Sequence, residues 1–312
     1  MKEVKKVLIG LISIIVLLVV ADWSVGTWSE KMYLKSKYSI YHKQLYCLNE
    51  SQDEVLIMGS SRAAHHYVPQ IIEDSLGMTC YNAGSDGECI YYHFCLLSAM
   101  IERGAKPKMV IYEVMNLDAE VSGGATFTLD AALDRLAPHY GEYEAIDSLV
   151  ALNGWKEKVK MLSKTYRYNS KLVQTIKCNY LPEKEDKGYE ALTGKMNVEL
   201  YEKDAATRTS NPKKSAKIED RKLGYMEKFI RLCTTNGINL LLCYSPYYHN
   251  KPSGGICNIQ EMADNYNVPF CEFATDEEFD NPELFNDAMH LNDDGAREYT
   301  AKLVGIIKKN NE

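Results

Sequence analysis

Val55-Leu56-Ile57-Met58-Gly59-Ser60-Ser61-Arg62 is an apolar run that stops at a glycine, two hydroxyls and a cation. A short, unbroken apolar run bounded by glycine reads as a fully buried strand, Glu54 to Met58, followed by a strand-to-helix turn. The same punctuation recurs outward. Pro69 opens a helix through Leu76, with Gly77 where a left-handed C-cap belongs. Met78 to Tyr81 is a second strand and Asn82 to Gly87 a turn. The next helix carries Ile90, Phe94, Leu97 and Ile101 on one stripe and ends at Gly104, and Met109 to Val114 is a third strand. A β-α-β-α-β run of this kind implies a parallel sheet with right-handed crossovers.

Further along, Met226, Phe229, Ile230 and Cys233 mark a helix ending at Gly237, and Ile238 to Cys243 is a fourth strand. A helix near Ile259 to Tyr266, a fifth strand at Val268 to Phe273 and a terminal helix with Tyr299, Leu303, Ile306 and Ile307 on one face complete the layer. The expected fold is α/β, a parallel five-stranded sheet flanked by helices in a flavodoxin-like three-layer arrangement. Between Leu117 and Lys222 strand signals vanish, and helical stretches appear around Tyr143 to Leu152, Trp155 to Leu162 and Arg167 to Ile176. Pro182 to Gly188 and Asp204 to Lys214 are charged and turn-rich, the segments expected to be most mobile. The expected organisation is an anchor at 1–28, a connector at 29–53, an α/β domain from 54–116 and 223–312, and a helical insertion or lid at 117–222.

The anchor is the apolar run Val7 to Val20, preceded by Lys2, Lys5 and Lys6 and continued through Trp28, with Asp22 as its one interruption. It is long enough to span a bilayer as an uncleaved signal anchor, with a cytoplasmic N-terminus and the rest of the chain outside the cell membrane. Trp23 and Trp28 suit an interface belt. The net charge of -7, with lysines and arginines scattered, offers no basic stripe, so nucleic acid is excluded as a partner. Nine cysteines is an odd number and no Cys-x-x-Cys occurs, so no disulfide framework is expected. Cys80, Cys243 and Cys271 fall in strands, as small buried hydrophobes.

In an open parallel sheet, ligands bind outside the carboxyl ends of the strands, where every polar candidate emerges. Serine needs a base in hydrogen-bond contact, and its developing oxyanion needs donors already in place. Gly59-Ser60-Ser61 at a strand end can supply a nucleophile, or merely a helix cap. Asp287-x-x-His290 lets a carboxylate fix its neighbour's imidazole, while Asn292, Asp293 or Asp294 can equally cap the last helix. Arg62 either contacts an anionic substrate or pins a nearby carboxylate. Tyr247 and His249 lie on the same rim, as substrate contacts or as packing. Adjacent His65 and His66 do not make a ligand set, so neither a metal nor a cofactor is expected.

Taken together, these blocks resemble the SGNH, or GDSL-like, hydrolase superfamily over most of the chain outside the anchor and the insertion. Gly59-Ser60-Ser61 resembles the first block, which implies Ser61 as nucleophile. Asn82-x-x-x-x-Gly87 resembles the second, which implies the Gly87 amide as an oxyanion donor. The third reads Met115-Asn116-Leu117-Asp118 in place of Gly-x-Asn-Asp and implies the Asn116 side chain as another donor. Asp287-x-x-His290 matches the last. The Ser-Ser-Arg variant, the anchor and the insertion look most like the envelope branch, with the D-alanine transfer proteins of teichoic acid and the alginate-type O-acetyltransferases. The resemblance implies an acyl-Ser61 intermediate, resolved by water or by a sugar hydroxyl of an envelope polymer, with a membrane partner delivering the acyl group. The rival expectation is a degenerate hydrolase fold serving as an anchored polymer-binding scaffold.

Overall fold

The computed structural model describes residues 2–36, 40–180, 186–203, 217–249 and 252–311. Asp204 to Lys214 and most of Pro182 to Gly188, read above as turn-rich, lie outside the described residues. Helix α1 (Lys2–Leu34) and α2 (Ile40–Asn49) lead into β1 (Val55–Gly59), α3 (Ser61–His66), α4 (Pro69–Leu76), β2 (Cys80–Asn82), α5 (Ile90–Glu102) and β3 (Met109–Glu113). Helices α6 (Leu129–Leu136), α7 (Glu144–Leu152), α8 (Trp155–Lys160), α9 (Lys164–Asn169) and α10 (Leu172–Tyr180) follow. The chain then runs through α11 (Asp220–Thr235), β4 (Asn239–Tyr244), α12 (Gly254–Asn265), β5 (Phe270–Glu272) and α13 (Asp293–Asn311).

Two compact units result, residues 1–42 with 133–183 and residues 43–132 with 184–312. The first joins α1 to the inserted helices α7 to α10. The second holds the whole sheet, together with the stretches 117–132 and 184–222 that flank those helices in sequence.

The five strands pair in parallel in the order β2-β1-β3-β4-β5. Alternation along each strand sends side chains to opposite faces. Val55, Ile57, Ile111, Leu241 and Cys243 pack with Ile72 of α4 and with Tyr299, Leu303 and Ile307 of α13. On the other face Tyr112 lies 5.0 Å, ring to ring, from Phe229 of α11. Both faces are covered, which is why the strands read as continuous apolar runs. From β1 the chain goes outward to β2 and then returns to β3 on β1's other side, so strand order reverses between β1 and β3. That reversal opens a crevice at the carboxyl ends of these two strands, where Gly59 pairs in register with Glu113.

Candidate active site

Ser61 stands at this reversal, as the first residue of α3. The turn that puts it there requires glycine. Gly59 has φ +133°, and a Cβ on it would lie 2.6 Å from the Glu113 carbonyl oxygen on the neighbouring strand. Gly84, in the turn after β2, approaches so closely that a Cβ would sit 2.3 Å from the Ala64 nitrogen of α3. Gly84→Ala is therefore expected to push the β2 turn off the serine helix, costing roughly 1 to 3 kcal/mol as an overpacked contact. Thermal unfolding checks this, and an unchanged melting temperature would contradict the close packing.

The Ser61 Oγ lies 2.8 Å from His290 Nε2. His290 Nδ1 is 3.0 Å from each Asp287 carboxylate oxygen. An ionised carboxylate only accepts, so Nδ1 carries the proton and Nε2 is left to accept from the serine. The Asp287 carboxylate also accepts from the Met289 N–H at 2.8 Å and the His290 N–H at 3.1 Å. Partial burial pushes its pKa up, but His290 and these amides outweigh burial and hold it at about 2, so it stays ionised at any ordinary pH. The helix-cap reading holds for a neighbour: Asn292 Oδ1 accepts from the Gly295 N–H at 3.0 Å at the start of α13.

The Ser61 N–H has no partner among the described residues, leaving it available to an oxyanion. The two other expected donors are engaged with neighbours. The Gly87 N–H donates to Ser60 Oγ at 3.1 Å, and Asn116 Oδ1 accepts from the Tyr244 hydroxyl at 3.1 Å, which leaves the Asn116 NH2 as the open end of that amide. Asn116 sits on a tight turn fixed by buried Asp118. This carboxylate accepts from the Met115 and Ile90 N–H groups at 2.9 Å each and from the Tyr112 hydroxyl at 3.0 Å. Burial lifts the Asp118 pKa to about 6 despite those donors. Buried Lys222 holds the same segment by donating to the carbonyls of Leu117 and Glu120 at 2.8 and 2.7 Å.

Of the two readings open for Arg62, the geometry is that of the carboxylate pin. Arg62 is only 2% exposed. Its guanidinium pairs with Glu113, donates to the Val114 carbonyl at 2.8 Å and lies 4.4 Å from the Tyr244 ring centre. Tyr247 flanks the same guanidinium at 5.7 Å. His249 stacks on Tyr248 at 4.1 Å and pairs with Asp280 at 2.8 Å.

Beneath the serine runs a buried polar line that the sequence reading missed. Glu113 accepts from the Tyr67 hydroxyl and from Ser245 Oγ, the latter at 2.9 Å. His66 Nδ1 donates to Ser245 Oγ at 2.8 Å, and His66 Nε2 accepts the Leu291 N–H at 2.9 Å, one residue past His290. Burial and the charge of Arg62 push the His66 pKa well down, so the ring is neutral, as this donor-and-acceptor arrangement requires. A visible signal was Glu113 itself, a carboxylate closing an apolar strand.

His66 carries a pH prediction. The unfolded chain takes up a proton at His66 near pH 6.5, and the folded chain does not. Stability therefore falls as pH drops below that value, by about 1.4 kcal/mol per pH unit for one proton. His65 acts in the opposite direction. Burial lowers its pKa, but the Asp86 carboxylate and the Glu190 carbonyl raise it further, so its contribution is present at low pH and lost as pH rises. Denaturant titrations of wild type and His66→Gln between pH 5 and 7.5 should differ by up to one proton's slope, and identical slopes would contradict a buried neutral His66.

His65 Nδ1 donates to the Glu190 carbonyl at 2.7 Å and its other nitrogen faces Asp86 at 3.7 Å. Ligand-capable atoms of His65, Asp86 and Glu190 thus gather within 4.8 Å. The Glu190 carboxylate is already paired with the buried Lys43 ammonium at 2.6 Å, which supplies a cation there. A cavity of about 330 Å³ lies among Met109, Asn239, Val268 and Pro269, at the amino ends of the strands and so at the opposite edge of the sheet from Ser61. The side chains of eight of the nine cysteines are described, all as free thiols.

No protein-family model matches the chain, and no curated protein matches it. Among solved structures it is similar to a GDSL-like lipase from Bacteroides thetaiotaomicron VPI-5482, at 13% identity and a TM-score of 0.39, over 83% of this chain and 89% of that one. It is likewise similar to an acetyl xylan esterase, at 15% identity and a TM-score of 0.39, over 81% of this chain and 99% of that one. At this distance the likenesses carry no argument about activity, and the reading of the site rests on its own atoms.

Proposed function

We propose that the chain is a serine acyl-transfer enzyme of SGNH type, anchored in the cell membrane by α1 and acting outside the cytoplasm on small acyl esters of an envelope polysaccharide or related polymer. The observation that carries the reading is the unbroken line Ser61 Oγ, His290 Nε2, His290 Nδ1 and Asp287 carboxylate, at 2.8 and 3.0 Å. His290 takes the Ser61 proton as the hydroxyl attacks an ester carbonyl, and Asp287 orients the ring and stabilises the imidazolium. The Ser61 N–H, with the Gly87 N–H and the Asn116 side chain once turned to the site, holds the oxyanion. His290 then returns the proton to the leaving alcohol, and an acyl-Ser61 ester remains. Water or a polymer hydroxyl, activated by the same imidazole, resolves it. A membrane partner delivering the acyl group fits a chain anchored at its N-terminus.

One observation favours a second reading, an anchored polymer-binding scaffold without turnover: the Gly87 N–H is occupied by Ser60 Oγ, and the Asn116 amide is held through its oxygen by the Tyr244 hydroxyl. Incubation with an acetyl ester, with and without an acetylatable oligosaccharide, separates the possibilities. The proposal expects free acetate, acetylated oligosaccharide or both, abolished in His290→Ala, whereas no acyl release above that variant leaves the scaffold standing.

A further inference from the structure

Helix α8 is built inside out. Trp155, Val159 and Leu162 follow an i, i+4, i+7 spacing and so form one stripe along this segment; they are 71%, 54% and 75% exposed. Glu157 and Met161, about half a turn away, are the buried residues. The Glu157 carboxylate is satisfied there by the Tyr166 hydroxyl at 2.9 Å and by Lys160 Nζ at 2.8 Å. Lys156 and Lys158 are exposed beside the stripe. A surface helix in water turns its apolar stripe inward. This one turns inward a carboxylate held by two partners and leaves a tryptophan, a valine and a leucine outside.

The start of α9, which directly follows this stripe in sequence, is fixed along α1. Asp22 of α1 accepts from Ser163 Oγ at 2.5 Å, from the Lys164 N–H at 2.9 Å and from the Thr165 N–H at 3.1 Å, and its carbonyl accepts from Thr165 Oγ at 2.8 Å. The residue that interrupts the apolar run thus caps α9. Four residues on, Gly26 lies so near Lys164 that a Cβ would be 2.6 Å from the lysine Cγ. Val7 to Ala21 rises only about 22 Å at 1.5 Å per residue, short of the roughly 30 Å hydrocarbon core. A spanning α1 must therefore carry its lipid-facing side past Asp22, and Trp23, Val25 and Trp28 are indeed exposed. By the same rise the capped start of α9, with Leu162 just before it, falls within about 8 Å of the boundary where hydrocarbon gives way to headgroups.

We propose that the segment Trp155 to Leu162 lies on the outer face of the bilayer that α1 crosses, with Trp155, Val159 and Leu162 seated among the lipid headgroups and Lys156, Lys158 and Lys160 at the level of anionic lipid phosphates. Aromatic and aliphatic side chains flanked by lysine suit that boundary. The inference rests on the reading of α1 as a membrane span and adds a second point of attachment, which fixes how the helical unit meets the surface.

The chain has three tryptophans, so Trp23→Phe with Trp28→Phe leaves Trp155 as sole reporter in the full-length protein. In nanodiscs of phosphatidylcholine with one quarter phosphatidylglycerol, lipids brominated high on the acyl chain should quench Trp155 emission at least twofold, and aqueous iodide should quench it little. A protein that stays in the membrane through alkaline carbonate, yet shows iodide quenching and no bromolipid quenching, overturns the inference alone. Release by carbonate overturns the membrane span as well.

Discussion

Ser61→Ala and His290→Ala each lower kcat for a small acyl ester by about a millionfold, and Asp287→Ala by roughly ten-thousandfold, if the three act as one unit. The smaller loss for Asp287 follows from its role. It touches neither substrate nor serine; it holds Nδ1 protonated and the ring aligned through two contacts of 3.0 Å. The Ser61 hydroxyl bonds only His290 among the described residues, so its removal should leave the melting temperature nearly unchanged. Initial rates beside thermal melts of the three variants check both halves. A Ser61→Ala protein with full activity would place the chemistry elsewhere, and loss of activity through unfolding would leave Ser61 a structural residue.

Glu113→Ala is the largest expected loss of stability, about 3 to 5 kcal/mol, because removing one member of a buried ion pair strands the other. Arg62 would be left as an unpaired buried cation. Tyr67 and Ser245 would lose their acceptor, and His66 would lose the group that orients Ser245. Burial raises the Glu113 pKa against the pull of Arg62, so the pair is not a simple source of stability. Arg62→Met with Glu113→Leu should therefore recover most of what Glu113→Ala loses. The line ends on the Leu291 N–H beside His290, and a misplacement of about 1 Å there can cost up to a hundredfold in kcat. Denaturant unfolding of the single and double variants checks this; a double variant no more stable than Glu113→Ala would contradict it.

The fold was legible wherever a local rule and the tertiary arrangement agree. All five strands were visible as short apolar runs because both faces of the sheet are covered. Gly77 at φ +67° is the left-handed cap expected after Leu76. The order of the polar turns was readable too, since a parallel sheet sends every strand end to one rim. Less was legible where the controlling contact is long-range. Asp22 looked like a flaw in an apolar helix and proves to cap α9, about 140 positions away. Ser245 and His66 sit in unremarkable local contexts, and only contacts with residues far along the chain give them partners. Arg62 remained ambiguous because its carboxylate, Glu113, is 51 positions distant in sequence and adjacent only through strand register.

The most direct test of the central claim is labelling by a serine-directed fluorophosphonate, followed by peptide mass analysis. A single adduct on Ser61, absent from Ser61→Ala and from heat-unfolded protein, is the expected result. No adduct on the folded wild type, or an adduct on another serine that persists in Ser61→Ala, would contradict it.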